Sequence, residues 1–507
     1  MQGSSNPNRE LLDAAAFCRH LVERGSVAEF LADHRLELFP DELFADLFPS
    51  GRGRPSVPAD VIATVMVLQS LEGLSDRDAA RQLRTNIAWK VATGMALDDP
   101  GFHPTVLTLW RNKLRVSERP QRIFDAVREV VDQTGILAQR HRRVLDSTVL
   151  DDAVTRQDTL MQLVAQIRIV RRLVPEARAL TLVAHDYEQG GAKPVCAWNE
   201  PADVTRVVTE LVTDARTVLD ALDGLPLTEA QQEAVGLLAL VAGQDVEPGE
   251  GEGTWRIAQR TRYDRIVSVH DPESRHVHKT VHSYRDGFKA HIAVEPETGV
   301  VTACDLTAGN VGDAQAAPLL LKRELAGTQV LGDSAYGAGA FRDHLATSGQ
   351  VAVIKPGPLR GAIEGGFTID DFTIDLETRT VTCPAGLTVR IGGGSVARFR
   401  QRCVGCPLRP VCTTSLTGRD VKVHPHHARL QAARRQAETP EFRQVYRQFR
   451  PMVERSIAWI VRKGHRRVAY RGIDRNRIWL GHRIAAVNLT ALLNLGLHRR
   501  PDGWVVA

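Results

Sequence analysis

An α/β core behind an all-α N-terminal region is the fold class this sequence predicts, from three observations. The first 140 residues carry helical periodicity with helix punctuation. At Arg142 the pattern changes to a short apolar run ending in an acid, RRVLDS. Past a linker-like EPGEGEG at 247–253, strand-like and helix-like runs alternate up to Ile354. Length agrees, because 507 residues at ~150 per domain make two to four units.

The elements follow in order. Pro58 to Leu71 reads as an amphipathic helix with proline in its first turn, where a missing N–H costs nothing. Gly73-Leu74 breaks it, and Ser75 opens SDRDAARQLR with Asp78 three residues on, a capping-box-like arrangement. Asp98 to Gly101 is a turn, and Thr105 to Arg115 a short basic helix. Helix, turn and helix with exposed Arg and Lys fit a DNA-binding module and a plain bundle equally well. Asp152 to Leu240 returns to helical periodicity, interrupted by a charged loop from Asp186 to Pro201.

Gly287 to Val294 and Val300 to Leu306, joined by a turn at Pro296 to Gly299, form a hairpin. Asp313 to Leu325 reads as a helix, Gln329 to Leu331 as a buried strand, Ala340 to Thr347 as a helix and Val351 to Ile354 as a last strand. A second insert from Lys355 to Thr439 holds alternating runs and a cysteine cluster. Phe442 to Val461 closes the core as one helix, kinked or restarted at Pro451.

Composition is that of an ordinary globular chain: 43% hydrophobic, 25% charged, net charge +5. It argues against a disordered, collagen-like or coiled-coil chain. Met1 to Asn8 is polar, and the longest apolar stretch, Val61 to Leu68, is far below the ~20 residues of a membrane span. A cytoplasmic protein without a membrane partner is expected. Of 65 basic residues 56 are Arg, which a GC-rich genome explains, though Arg is also the better phosphate fork. Between Phe442 and Arg483, 12 Lys and Arg face only Glu454 and Asp474, a local excess that suits a phosphate backbone.

Asp146 and Asp333 both follow apolar runs, at the sheet rim where α/β proteins place reacting groups. Glu454 lies beside the apolar stripe of the basic helix. Phosphodiester cleavage needs hard divalent ions held by carboxylate oxygens, and three acids converging at one sheet edge would hold two of them. The plainer reading is also open: an Asp after an apolar run is commonly a turn former, and Glu454 could pair with Arg450 or Arg455.

Together, RRVLDSTVLDDAV (142–154), GDSAYGAGAFRDHL (332–345) and RQFRPMVERSIAW with GHRRVAYRGIDRNRI (447–478) resemble the three catalytic blocks of insertion-sequence DDE transposases. GRPSVPADVIATVMVLQSLEGLSDRDAARQLR and DDPGFHPTVLTLWRNKL resemble their N-terminal domain. The resemblance covers roughly Phe39 to Leu495. It implies a ribonuclease H-like core, a mixed sheet flanked by helices, at 141–500. That core would be interrupted by a mostly helical insert at 152–255 and a β/cysteine insert at 356–440. Residues 1–140 would be a helical domain for DNA-end binding and assembly.

The same resemblance implies a catalytic triad of Asp146, Asp333 and Glu454 holding two Mg2+ ions, with Mn2+ able to substitute. Water would cleave at the element's ends, and the freed 3′-OH would attack target DNA. The partners implied are double-stranded DNA, at terminal inverted repeats and at the target, and further copies of the chain in a dimer or higher oligomer. In the related group a Tyr and an Arg precede the Glu and a Lys follows it. Arg450 stands at the expected place. Tyr446 is one position out, and Val461 holds the Lys place with Arg462 and Lys463 just beyond. Candidate DNA contacts are therefore Arg450, Tyr446, Lys463, Arg466, Arg467 and Arg471. Lys289 and His291, on one face of a strand by alternation, and Tyr336, whose ring could stack on an unpaired base, join them. The runner-up reading is a catalytically silent or repurposed DNA-binding protein on the same fold.

Cys403 and Cys406 have the spacing of a metal knuckle, with Cys412 six residues on and Cys383 twenty upstream. Four thiolates would close one structural Zn2+ site; reduced packing thiols are the alternative. His424, His426 and His427 are substitute ligands by composition. Cys18, Cys196 and Cys304 read as small buried hydrophobes.

Overall fold

The structure, a computed structural model, describes all residues except 6–11, 189–192, 260–261 and 281–282. The expected 186–201 loop lies partly outside them.

The centre is a mixed sheet of six strands: β1 Arg142–Asp151, β2 Arg275–Thr280, β3 Ser283–Val294, β4 Val301–Ala308, β5 Gln329–Gly332 and β6 Val351–Ile354. β1 lies between β3, antiparallel to it, and β5, parallel to it, with β6 parallel beyond β5. β2 and β4 run antiparallel to β3, pairing with its first and second halves. At the change of partner stands Gly287, with φ +151°; a Cβ there would meet the Leu150 carbonyl oxygen at 2.1 Å, so only glycine fits. β2 escaped the sequence reading because RHVHKT offers hardly any apolar alternation. β1 also does not stop at Asp146. β3 pairs with it as far as Asp151, so Asp146 is mid-strand.

Helix α1, Ala59–Glu72, is buried from Ala59 to Ser70. It is therefore not amphipathic as expected, because neighbours cover every side of it. Ser75 caps the next helix, accepting from the Asp78 N–H at 3.1 Å. α2, Asp313–Leu320, is shorter than expected and contains Pro318, which removes a helical hydrogen bond. The closing helix is two helices, α3 Pro440–Phe449 and α4 Met452–Val461. Pro451 separates them, because its ring clashes with the preceding turn.

A helix without a counterpart among the sequence expectations is α5, Ile473–Asn494, whose 22 residues are mostly buried. Its Leu480 and Ile484 pack on the sheet with Val144, Ile292 and Val453. Its Ala485, Leu489 and Leu492 pack among the N-terminal helices with Ile62, Met66 and Trp110. Apolar on both flanks, α5 is the shared wall of the two regions. Arg483 on it donates to the Ser70 carbonyl at 2.6 Å and to the Ile460 carbonyl at 3.1 Å. It thereby satisfies helix-end acceptors and ties α1 to α4.

Between β1 and β2, helices Thr159–Leu173, Pro201–Leu222 and Glu229–Gln244 share their own apolar cluster. The stretch expected as a linker, 247–253, belongs to a hairpin pairing Val246–Pro248 with Trp255–Ile257. Between β6 and α3, short strands surround Phe372, Val381, Phe399 and Val421. Among the described residues no helix is long and apolar enough to cross a membrane.

Candidate active site

Parallel pairing of β1 with β5 sets Val144 beside Leu331. Continued for two residues, that register places Asp146 opposite Asp333, at the point where β5 ends and β1 runs on. Asp146 is held by the Ser147 N–H, which donates to its Oδ1 at 2.8 Å. Asp333 opens the turn Ser334–Tyr336 and accepts from the Ala335 N–H at 2.9 Å.

Arg450, at the junction of α3 and α4, reaches both acids: its Nη2 lies 3.2 Å from Asp146 Oδ2 and 3.9 Å from Asp333 Oδ2. Burial raises the pKa of Asp146; Arg450 and the Ser147 amide oppose that, while Asp333 and Asp313 add to it. A carboxylate desolvated among other carboxylates favours a cation, and here a guanidinium fills that role. Tyr446, one turn before Arg450, is half-buried, and burial raises its phenol pKa, with Asp333 and Asp146 also near.

Glu454, in the first turn of α4, is exposed one turn beyond Arg450. Among the described residues no three His, Cys, Asp or Glu side chains are arranged to hold one ion. The structure thus brings together two of the three expected acids and sets the third on the adjoining helix. The donor set fits a hard divalent ion: Asp146 and Asp333 offer oxygens that one cationic group already bridges.

The expected DNA contacts separate by exposure. Lys463, Arg467 and Arg471 are exposed, and Arg467 also donates to the Asp152 carbonyl at 2.9 Å. Arg466 is turned inward, donating to Thr148 Oγ1 at 2.6 Å and to the Val149 carbonyl at 3.2 Å. Lys289 pairs with Asp313 at 3.1 Å and donates to the Val311 carbonyl at 2.9 Å; a phosphate would have to displace both. His291 is fully buried and its pKa is lowered to about 4 by burial, so it is neutral. Tyr336 is 1% exposed and packs with Phe341 and Leu345. Stacking on a base would need its ring to leave the core. Asp313, which the sequence reading passed over, lies beside this group; its only signal was a position at a helix start after a loop.

The four cysteines converge. Cys383, Cys403, Cys406 and Cys412 line one cavity of about 20 Å³, room for a single water-sized particle. The Arg419 N–H points at Cys403 Sγ from 3.4 Å. Burial raises the Cys412 thiol, and the other three sulfurs add to the shift. Four thiols are a zinc-type donor set by chemistry, but among the described residues no three of them are arranged around one ion position. His424, His426 and His427 do not line that cavity; His424 and His426 pack against Gly339. Cys304 is half-buried in the sheet's apolar cluster.

Two family models match the chain. The one described as Transposase DDE domain matches residues 262–489, which contain Asp333, Arg450 and Glu454 and begin after Asp146. The one described as Transposase domain (DUF772) matches residues 19–113, the N-terminal helices. No curated protein and no solved structure matches.

Proposed function

Because the chain belongs to the insertion-sequence DDE transposases, we propose that it cuts DNA at its element's ends and joins the freed 3′-OH to target DNA. Asp146, Asp333 and Glu454 are the catalytic acids in this reading. One observation carries it: Asp146 and Asp333, far apart in sequence, stand side by side at the end of β5, within reach of one guanidinium.

Two divalent ions, Mg2+ or Mn2+, supply activation of water and stabilisation of the leaving oxygen when bound. The chain's own residues do the remaining work. Asp146 and Asp333 present oxygens at a fixed sheet edge, and Glu454 adds a third carboxylate from α4. Arg450, when not engaged by the two aspartates, offers a fork to the scissile phosphate, with Tyr446 beside it. Lys463, Arg467 and Arg471 follow the DNA backbone. The N-terminal helices bind the element's ends, and the enzyme acts as a dimer or higher oligomer, as the family resemblance supports. Cys383, Cys403, Cys406 and Cys412 hold one structural zinc ion.

The test is cleavage of a labelled duplex carrying the element's own end, with Mg2+. Wild type is expected to cut at the element boundary and to yield joined products with target DNA. Asp333→Asn and Glu454→Gln should lower the rate by about 10³-fold or more while still binding the duplex. Binding without cutting by wild type would favour the silent DNA-binding protein; cut but never joined products would favour a nuclease.

A further inference from the structure

Asp146 and Ser147 are neighbours on β1 and point to opposite faces of the sheet. Val144, on the Asp146 face, packs with Phe449 and Val453 of α3 and α4. Leu145, on the Ser147 face, packs with Leu320 of α2 and with Phe341. On this second face Asp313, the first residue of α2, accepts from Ser147 Oγ at 2.9 Å. Lys289 Nζ lies 3.1 Å from the same carboxylate oxygen, and Lys289 also donates to the Val311 carbonyl at 2.9 Å. The loop before α2 is thus fastened to β3, and the Asp313 carboxylate is held in place. Ser147 in turn gives its N–H to Asp146 Oδ1 at 2.8 Å. A continuous chain of contacts runs from Asp313 through Ser147 to the carboxylate on the other side of the sheet.

We propose that Asp313 is a positioning residue for Asp146: it fixes Ser147, whose amide sets the orientation in which the Asp146 carboxylate faces Asp333. Groups that orient a metal-binding carboxylate without touching the metal change its affinity about 10–100-fold when removed. A carboxylate serving only as the partner of Lys289 would affect folding and leave ion binding alone. The proposal rests on the reading of Asp146 as a metal ligand.

The experiment is a Mn2+ titration of the full chain, followed by the paramagnetic resonance signal of the free ion, on wild type, Asp146→Asn, Asp313→Asn and Ser147→Ala. Asp146→Asn should lose the site. Asp313→Asn should bind about tenfold more weakly, and Ser147→Ala more weakly in the same direction, by less. In cleavage, Asp313→Asn should need more Mn2+ for half its maximal rate and approach the wild-type rate at saturation. Wild-type Mn2+ affinity in both Asp313→Asn and Ser147→Ala, with the site lost in Asp146→Asn, overturns the positioning role and leaves the metal reading standing. Undiminished binding by Asp146→Asn overturns both. If Asp313→Asn does not fold, Ser147→Ala decides alone, because it keeps the Lys289–Asp313 pair.

Discussion

The carboxylate edge and the thiol lobe both gather metal-type ligands, and they do so in opposite ways. Asp146 and Asp333 come from distant segments and meet because two parallel strands share a register. The strands are anchored in an apolar core that includes Val144, Ile292 and Leu331, and Arg450 already balances the acids. The cysteines come from one stretch of 30 residues, and the apolar cluster around them has eight buried members: Phe372, Val381, Val389, Ile391, Ala397, Phe399, Val421 and Val423. A site built on a sheet keeps its shape by packing, whereas a site on short strands and turns depends on what it binds.

Removing metal is the strongest way to break that contrast. Purified protein is expected to hold about one zinc ion per chain. Metal binding supplies on the order of 10 kcal/mol in isolated zinc modules, so chelation or Cys406→Ser should open the 357–423 lobe to protease and leave the sheet protected. An unchanged digestion pattern in metal-free protein would mean that the thiols merely pack.

Arg450→Gln probes the other side at a smaller scale. Without its guanidinium the acids face each other unbalanced, so the ion-free variant should lose about 1–3 kcal/mol, less than a fully buried pair because Asp333 is half-exposed. Divalent ions should then raise its melting temperature more than that of wild type. Equal stabilisation of both proteins would show that Arg450 is not standing in for a cation.

The smallest effect concerns a carboxyl at the end of the same strand. Asp152 is 6% exposed, accepts from Ser274 Oγ at 2.8 Å, and is pushed up to about 6, chiefly by burial. The unfolded chain would ionise it near 4, so between about pH 4 and 6 the folded state binds more protons and stability falls as pH rises. Asp152→Asn should remove that penalty, raising stability at pH 8 by about 1–2 kcal/mol and flattening the profile between pH 4 and 6. Denaturant unfolding at both ends of that range measures it. A variant no more stable at pH 8 than wild type would mean that Asp152 is not ionised at a cost.

Much of this was legible in the sequence, for local reasons. Helix starts such as Ser75 and strand runs such as Val351–Ile354 are encoded within a few residues, where capping and alternation act. Asp333 was legible because an acid directly after an apolar run marks a strand end, and the cysteines because knuckle spacing is itself local. What the tertiary structure alone decided is where each side chain goes next. Arg466 and Lys289 look like DNA contacts by residue type, yet both are engaged by the protein's own oxygens. Tyr336 belongs to the core because the turn after Asp333 folds back on Phe341. β1 runs past Asp146 only because β3 offers a partner, and α5 is buried on both flanks because two regions close on it. Asp313 gains its place by reaching Ser147 across a gap of 166 residues. Periodicity and caps act over one or two turns of chain, whereas partners and burial depend on which distant segments the sheet brings together.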